Sequence, residues 1–492
     1  MQIFGNTNFI KEPATMVNER PAKIGLLLIG SPRFKQLGEG TQHGTYGERK
    51  LIEEKEIIKN LENIGEVVYT GITYEREDVD KAISAFFNEK VDCVIAAYLS
   101  WAEDFAWIRF LRNMPEMPVL LASFVREGVY VTDTNDEDQF VDFLSAGALV
   151  GVQESSGDFA RFNRPMKDTV LGTMDVVMEK AKVFVAAAKA RSVLRDSTVG
   201  LLACFNEAMW STYLDPYNIF QKVGPEIHFL SVAELCDEIE QVTDEELKKV
   251  TDELKASFKF YPNVDYEKFD ASVKASIAVE KLSAKYGLDL TVLNDIDTVL
   301  FGHVGLRPGF MPTTAQSKLT CVPEGDIGNG LATYILRILS GGKRANFIEP
   351  FYIVKNRNCI ACGHAGPNDY RGDPNGTIVA RDERFAKSKW KYAGAPFAWY
   401  VFPEGEYTVL HMSENNGKMK MVCLKLTAIP TKHYLASYSH ADFVHETLSP
   451  EEVWNQLIKI GVNQHYGIVP GDYTKEVEQL ADMLGFEYHF VG

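Results

Sequence analysis

Cysteine is scarce in this chain. Its 492 residues include seven: Cys93, Cys204, Cys236, Cys321, Cys359, Cys362 and Cys423. An odd and sparse set argues against a disulfide framework and for a reducing, cytoplasmic setting. Long apolar runs are also missing. Stretches such as Leu26–Ile29 and Val94–Ala97 are far too short to span a bilayer. The first 22 residues carry Lys11, Glu12, Glu19 and Arg20 with no apolar centre, so they do not read as a signal peptide. Positive charge is in deficit too. Lys plus Arg number 51 against 68 Asp plus Glu, a net charge of −17. That balance argues against a general nucleic-acid or anionic-membrane binder, which needs a basic face, and leaves room for a small local basic pocket. A dinucleotide fingerprint is absent as well. Gly38, Gly40 and Gly44 follow the first strand late and with one residue too many for G-x-G-x-x-G. They read as a loop at the carboxyl edge of a sheet.

What is present is ample globular material. Hydrophobic residues make up 46% and charged residues 24%, a composition that folds. At roughly 150 residues per domain the length implies about three domains.

Strands at Lys23–Gly30, Glu66–Thr70, Val91–Leu99 and Pro118–Ala122 alternate with helices near Glu48–Asn63, Asp78–Asn88 and Glu103–Arg112. Such alternation implies a parallel, doubly wound sheet. A long helix over Met166–Arg191 leads to a second series. It contains a strand at Val199–Cys204, a helix near Ser211–Lys222, a strand at Glu226–Leu230, and helices at Ala233–Gln241, Asp244–Ser257 and Ala271–Tyr286. After Glu349 strands dominate, at Phe351–Lys355, Cys359–Cys362, Thr377–Arg381, Tyr407–Met412 and Lys418–Ala428, with a hairpin turn at Asn416-Gly417. Helices near Pro450–Lys459 and Tyr473–Leu484 and a strand at Glu487–Val491 close the chain. The expected fold is α/β: two Rossmann-like doubly wound domains, 1–170 and 171–325, then a β-rich, barrel-like domain, 326–492, with terminal helices.

The chemistry-bearing residues gather late. Cys359-Ile-Ala-Cys362 offers two thiols where a structural zinc wants four ligands, and it sits in a strand-like run. It reads as two small apolar residues. The carboxylates say more. Glu324 and Asp326 stand in a Gly-rich turn before an apolar helix, Leu331–Leu339, and Glu349 ends an apolar strand. His364 follows fifteen residues on, and His465 lies in Gly461-Val-Asn-Gln-His465-Tyr-Gly. Two carboxylates and two imidazoles on different elements suit a divalent transition metal such as Mn, Fe or Co better than Ca or Mg. Asp326 reads either as a helix N-cap or as an orienter of a ligand.

These segments resemble the metal-binding series of the L-arabinose isomerases, with the L-fucose isomerases as more distant relatives. The carrying residues are the Glu324-Gly-Asp326 turn, the Phe347-Ile-Glu349-Pro strand end, Cys362-Gly-His364, and Gln464-His465-Tyr-Gly. The likeness extends to Val223–Leu247, to Val91–Leu111 and to Gly38–Glu48. It implies a cytoplasmic, metal-dependent aldose–ketose isomerase, L-arabinose to L-ribulose by default, working through a cis-enediol. It assigns Glu324, Glu349, His364 and His465 to the metal, Mn²⁺ first with Co²⁺ or Fe²⁺ as alternatives, and Glu324 and Glu349 to proton transfer. Gln42 and Tyr46 become candidate sugar contacts. A homo-oligomer built from trimers, such as a hexamer, with its active site at a subunit interface, is implied too.

Some positions depart from the family. Gln42-His43-Gly44-Thr45-Tyr46 has one residue more between His and Tyr. Gln464 stands where a second late histidine is usual. Gly151–Asp158 replaces a His-Gly-Gly-Arg stretch. Arg307, just before the first ligand, is new and is a candidate anchor for an anionic sugar. These differences fall where sugar recognition is expected. L-fucose, D-arabinose, D-galactose or a C6-modified hexose (sulfoquinovose to sulfofructose) therefore stay open, and a non-catalytic sugar-binding protein is the rival of another class.

Overall fold

The computed structural model describes residues 20–492 except 134, 304–307, 312, 314–316, 318, 371–375, 385 and 392, and except the side chains of 301–303. Arg307 thus lies outside the described residues. The described chain forms two compact units, Arg20–Ser192 with Glu478–Gly485, and Val193–Val477 with Phe486–Gly492. The expected second and third domains fall mostly within the second of these.

The first unit is built on five parallel strands, β1 (Lys23–Ile29), β2 (Glu66–Val68), β3 (Cys93–Tyr98), β4 (Val119–Phe124) and β5 (Lys167–Gly172). They run in the order β2-β1-β3-β4-β5. β3 is buried at every position and β1 at every position after Lys23, because helices cover both faces of such a sheet. Trp107, Phe110, Phe86 and Phe159 fill the core beside them.

The long helix expected over Met166–Arg191 is corrected. Lys167–Gly172 is an edge strand paired in register with β4, for example Leu120↔Asp168. Its residues alternate between exposed and half-buried, as strand geometry requires, although polar and apolar residues do not alternate along it. The helix starts only at Met174 and runs to Asp196. Two further helices, Glu137–Ser145 and Ala148–Arg161, went unmarked in the sequence.

The second unit holds a second parallel sheet. Its strands are β6 (Thr198–Leu202), β7 (Glu226–Leu230), β9 (Leu290–Leu293) and β10 (Thr320–Val322), in the order β10-β9-β6-β7. The helix expected near Ser211–Lys222 is a run of short turns instead. Asp215 caps a single turn at Pro216–Asn218, and a wider π-turn follows at Ile219–Val223.

The β-rich region is a ring. Its strands are β11 (Asn346–Val354), β12 (Cys359–Ala365), β15 (Gly405–Asn415), β16 (Lys418–Ile429), β17 (Tyr438–Val444) and β18 (Tyr466–Pro470). Antiparallel pairing runs β15-β18-β11-β12-β17-β16 and returns from β16 to β15. β19 (Glu487–Val491) adds to β16 in parallel. A small sheet of β8 (Lys259–Phe260), β13 (Ile378–Arg381) and β14 (Pro396–Trp399) completes the unit. The Asn416-Gly417 hairpin is present, with φ of 51° and 76° at its two residues. Two positive values are what a type I′ turn demands.

One helix links the two kinds of sheet. Ile327–Leu339 is buried at every position but Arg337. A Cβ on Gly330 would lie 2.9–3.0 Å from Val322 and Val292 of the parallel sheet, and one on Gly328 would lie 2.5 Å from the Met412 carbonyl of β15. Glycine is needed there because a carbonyl approaches Gly328 and packed valine methyls approach Gly330. The carboxylates at the start of this helix are thereby carried to the ends of the ring strands. Among the described residues, no helix is long and apolar enough to cross a membrane.

Candidate metal centre

The parallel sheet of the second unit delivers carboxylates at its carboxyl edge, where ligands of such sheets bind. β10 ends at Val322, and Glu324 follows in a tight turn with φ of 64°. A left-handed glutamate is uncommon and costs roughly 1–2 kcal/mol. Asp326 then caps the helix, its Oδ1 accepting from Asn329 N at 2.9 Å. The ring delivers imidazoles. His364 is the penultimate residue of β12, and His465 stands immediately before β18.

Glu324, His364 and His465 converge. One ligand atom from each lies within 4.8 Å of the others, and all three residues are buried. His364 Nε2 is 3.8 Å from Glu324 Oε1, and His465 Nε2 is 3.4 Å from Glu324 Oε2. Each imidazole is set by its other nitrogen. His465 Nδ1 donates to Asp326 Oδ2 at 2.9 Å, and His364 Nδ1 donates to the Ala365 carbonyl. In the neutral form of each ring this leaves Nε2 as the lone-pair nitrogen, the arrangement of metal-binding histidines. Neither Nε2 has a hydrogen-bond partner. Phe347 of β11 packs against both rings, with centroids at 5.0 and 4.6 Å.

These residues fit a divalent ion. A first-row cation sits about 2.0–2.2 Å from nitrogen and oxygen ligands, which leaves adjacent ligand atoms roughly 3–4 Å apart. Two buried, unsatisfied Nε2 atoms facing a buried carboxylate are otherwise unfavourable. Asp326 settles the ambiguity left by the sequence, because it is cap and orienter at once.

Charge in the pocket is distributed unevenly. Burial pushes His364 down to about 4. Burial acts the same way on His465, but its bond to Asp326 and the nearby Glu324 carboxylate outweigh it and raise the group to about 9. Glu349 is pushed up by burial first and then by the charge of Glu324, while His465 and Arg384 pull it down. Glu349 is half-buried on β11, two residues past Phe347, and falls outside the close three-residue cluster.

Four residues near the centre carried no signal read from the sequence. Asp295, just past β9, accepts from Glu324 N at 3.0 Å, and Asn206, past β6, donates to the Glu324 carbonyl at 3.1 Å. His411 Nδ1 donates to the His465 carbonyl at 2.8 Å. Arg384 pairs with Asp382 at 3.1 Å, lies over the Tyr438 ring and acts electrostatically on Glu349 and Asp295. Carboxylate and amide residues directly after apolar strands were the available cue for Asn206 and Asp295. His411 hides inside an alternating strand.

The other candidates lie elsewhere. Gln42 is exposed in the first unit and lines a cleft of about 970 Å³ with His43, Arg49, Arg126 and Asp138. Tyr46 is fully buried in that unit, its hydroxyl 2.6 Å from Ser100 Oγ. Cys359 and Cys362 are buried strand residues, as their small apolar reading implied. No family model matches the chain, and no curated protein matches it.

Proposed function

We propose that this chain is a metal-dependent aldose–ketose isomerase. The observation that carries the reading is the convergence of Glu324 with the Nε2 atoms of His364 and His465. It agrees with the resemblance of the same segments to the L-arabinose isomerases. A divalent ion held there, Mn²⁺ by preference, would supply a Lewis acid for the carbonyl chemistry of an open-chain aldose. His364 and His465 would hold it through Nε2, with Asp326 keeping His465 turned towards it. Glu324 and Glu349 share the proton work. A carboxylate oxygen would take the proton from C2 and the resulting carboxyl would return it to C1, while the O2 proton passes to O1, so that the carbonyl relocates through a cis-enediol. Phe347 keeps water from the faces of both imidazoles.

L-arabinose is the default substrate, with L-fucose, D-arabinose, D-galactose or a C6-modified hexose as alternatives. In this reading Gln42 is a sugar contact and Tyr46 supports the loop that carries it. The working form is a trimer-based homo-oligomer with its active site at a subunit interface. A non-catalytic sugar-binding protein is the rival, and it has no use for two unsatisfied imidazoles beside a carboxylate.

The test is direct. Chelator-treated protein is reloaded with Mn²⁺, Co²⁺ or Fe²⁺ and offered this panel of sugars. Metal-dependent ketose formation, abolished by Glu324→Gln, is expected. Sugar binding with no turnover under any metal would favour the binding protein, and failure to take up any of the three metals would sink the isomerase.

A further inference from the structure

Glu324 is held in place by more than its own turn. Its φ of 64° and that of 73° at Gly325 put two successive residues in the left-handed region. Gly325 adopts this freely, whereas Glu324 does not. Strain of this kind persists only where the surroundings over-determine it, and it gathers at functional sites.

Two of the groups that hold it are side chains. Asp295 Oδ1 accepts the Glu324 N–H at 3.0 Å, and Asn206 Nδ2 donates to the Glu324 carbonyl at 3.1 Å. Asn206 is fixed in turn, since its Oδ1 accepts from Ala208 N at 3.0 Å. Asp295 is wholly buried and Asn206 is 2% exposed, so water is not at hand to replace either bond. The three residues follow β6, β9 and β10, which are neighbours in one parallel sheet. The winding of that sheet reverses between β6 and β9, and Asn206 and Asp295 stand on the two sides of the reversal.

Resting on the metal reading above, we infer that Asp295 and Asn206 are positioning residues, a clamp on the Glu324 backbone that aims its carboxylate at His364 and His465. A return of Glu324 to negative φ would redirect its Cα–Cβ bond and break both bonds of the clamp. Neither clamp residue is assigned a bond to the ion or to substrate. Their effect passes through the direction of one side chain.

The experiment is titration of chelator-treated protein with Co²⁺, read by its visible absorption bands. Far-UV circular dichroism and the thermal midpoint of the metal-free protein are recorded alongside. Asp295→Ala and Asn206→Ala should each weaken Co²⁺ binding by about 10–100-fold, as loss of a ligand-orienting contact does. They should also change the band shape while leaving the dichroism unaltered. Asp295→Asn keeps an oxygen acceptor for the Glu324 N–H and should restore most of the affinity and the wild-type bands. It also serves if Asp295→Ala does not fold. Wild-type affinity and bands in both alanine variants would overturn the clamp alone. So would an Asp295→Asn protein as impaired as Asp295→Ala. Wild-type protein that takes up no Co²⁺ would overturn the metal reading, and the clamp with it.

Discussion

The two units each contain a parallel sheet whose winding reverses, and they treat the reversal differently. In the first unit it lies between β1 and β3. The crevice there is filled by the chain itself: the Tyr46 hydroxyl bonds Ser100, and Phe34 packs on the rings of Tyr46 and Trp101. In the second unit it lies between β6 and β9, and Asn206, Asp295 and Glu324 line it beside two histidines. One is a closed aromatic plug with its hydroxyl satisfied. The other concentrates carboxylates and leaves imidazole nitrogens unsatisfied. Sheet topology therefore marks where a site can be built, and the residues at the strand ends decide whether one is.

The sharpest way to break this contrast is to neutralise the residue at its centre. Glu324→Gln keeps the shape of the side chain and removes its charge. Metal affinity should fall by more than about 100-fold, and isomerisation should vanish, as equilibrium dialysis and a ketose assay would record. Asp326→Asn is more selective. Asparagine caps a helix as well as aspartate does, so Ile327–Leu339 should survive intact. The carboxylate that orients His465 is lost, and metal affinity should drop about 10–100-fold. An unchanged affinity would show that the Asp326–His465 bond serves folding alone.

Much of the second unit's site was legible in the sequence, because it rests on local signals. The Glu324-Gly-Asp326 turn before an apolar helix, and a histidine at the end of an apolar strand, can be read residue by residue. Asp295, Asn206, His411 and Arg384 were not, because their roles come from strand order and from pairing across many residues. Nothing near Asn206 in the chain announces that its amide will meet the Glu324 carbonyl 118 residues later. The strand Lys167–Gly172 was misread for a related reason. Its polar and apolar residues do not alternate, and only pairing with β4 makes it a strand. Tyr46 shows the converse. A motif placed it among sugar contacts, and packing placed it in the core.

Proton binding separates the second unit's histidines from one another. Burial holds His364 and His411 down to about 4 in the folded chain, against about 6.5 when unfolded. Between those values the unfolded chain binds more protons, so their contribution is complete above about pH 6.5 and is lost as pH falls towards 4. His465, raised to about 9, has the opposite sign. Its contribution is complete below about pH 6.5 and is lost as pH rises through 9. Urea midpoints of metal-free protein should therefore fall on both sides of about pH 6.5. A His465→Gln variant should lose the alkaline limb and keep the acid one. A midpoint independent of pH in the wild-type protein would contradict both assignments.

Packing gives a smaller effect. A Cβ on Gly467 of β18 would lie 2.7 Å from the backbone nitrogen of Thr333 in the helix Ile327–Leu339. Backbone does not yield as a side chain does, so Gly467→Ala should cost about 1–3 kcal/mol by overpacking, measured by urea denaturation. Because that helix carries Asp326, metal affinity should weaken along with stability.

The smallest effect belongs to the plugged crevice of the first unit. Tyr46→Phe removes one hydroxyl from a buried pair with Ser100, whose Oγ still donates to the Trp101 carbonyl at 2.8 Å. Ser100 therefore keeps a partner, and the loss should be that of one ordinary hydrogen bond, about 0.5–1.5 kcal/mol of stability. The phenyl ring still fills the space against Phe34, so no cavity opens. Metal affinity should not change, since Tyr46 supplies no ligand. Sugar KM is the discriminating readout. An unchanged KM would keep Tyr46 as a supporting residue, and a large rise with unchanged stability would return it to the sugar contacts and break the contrast between the two crevices.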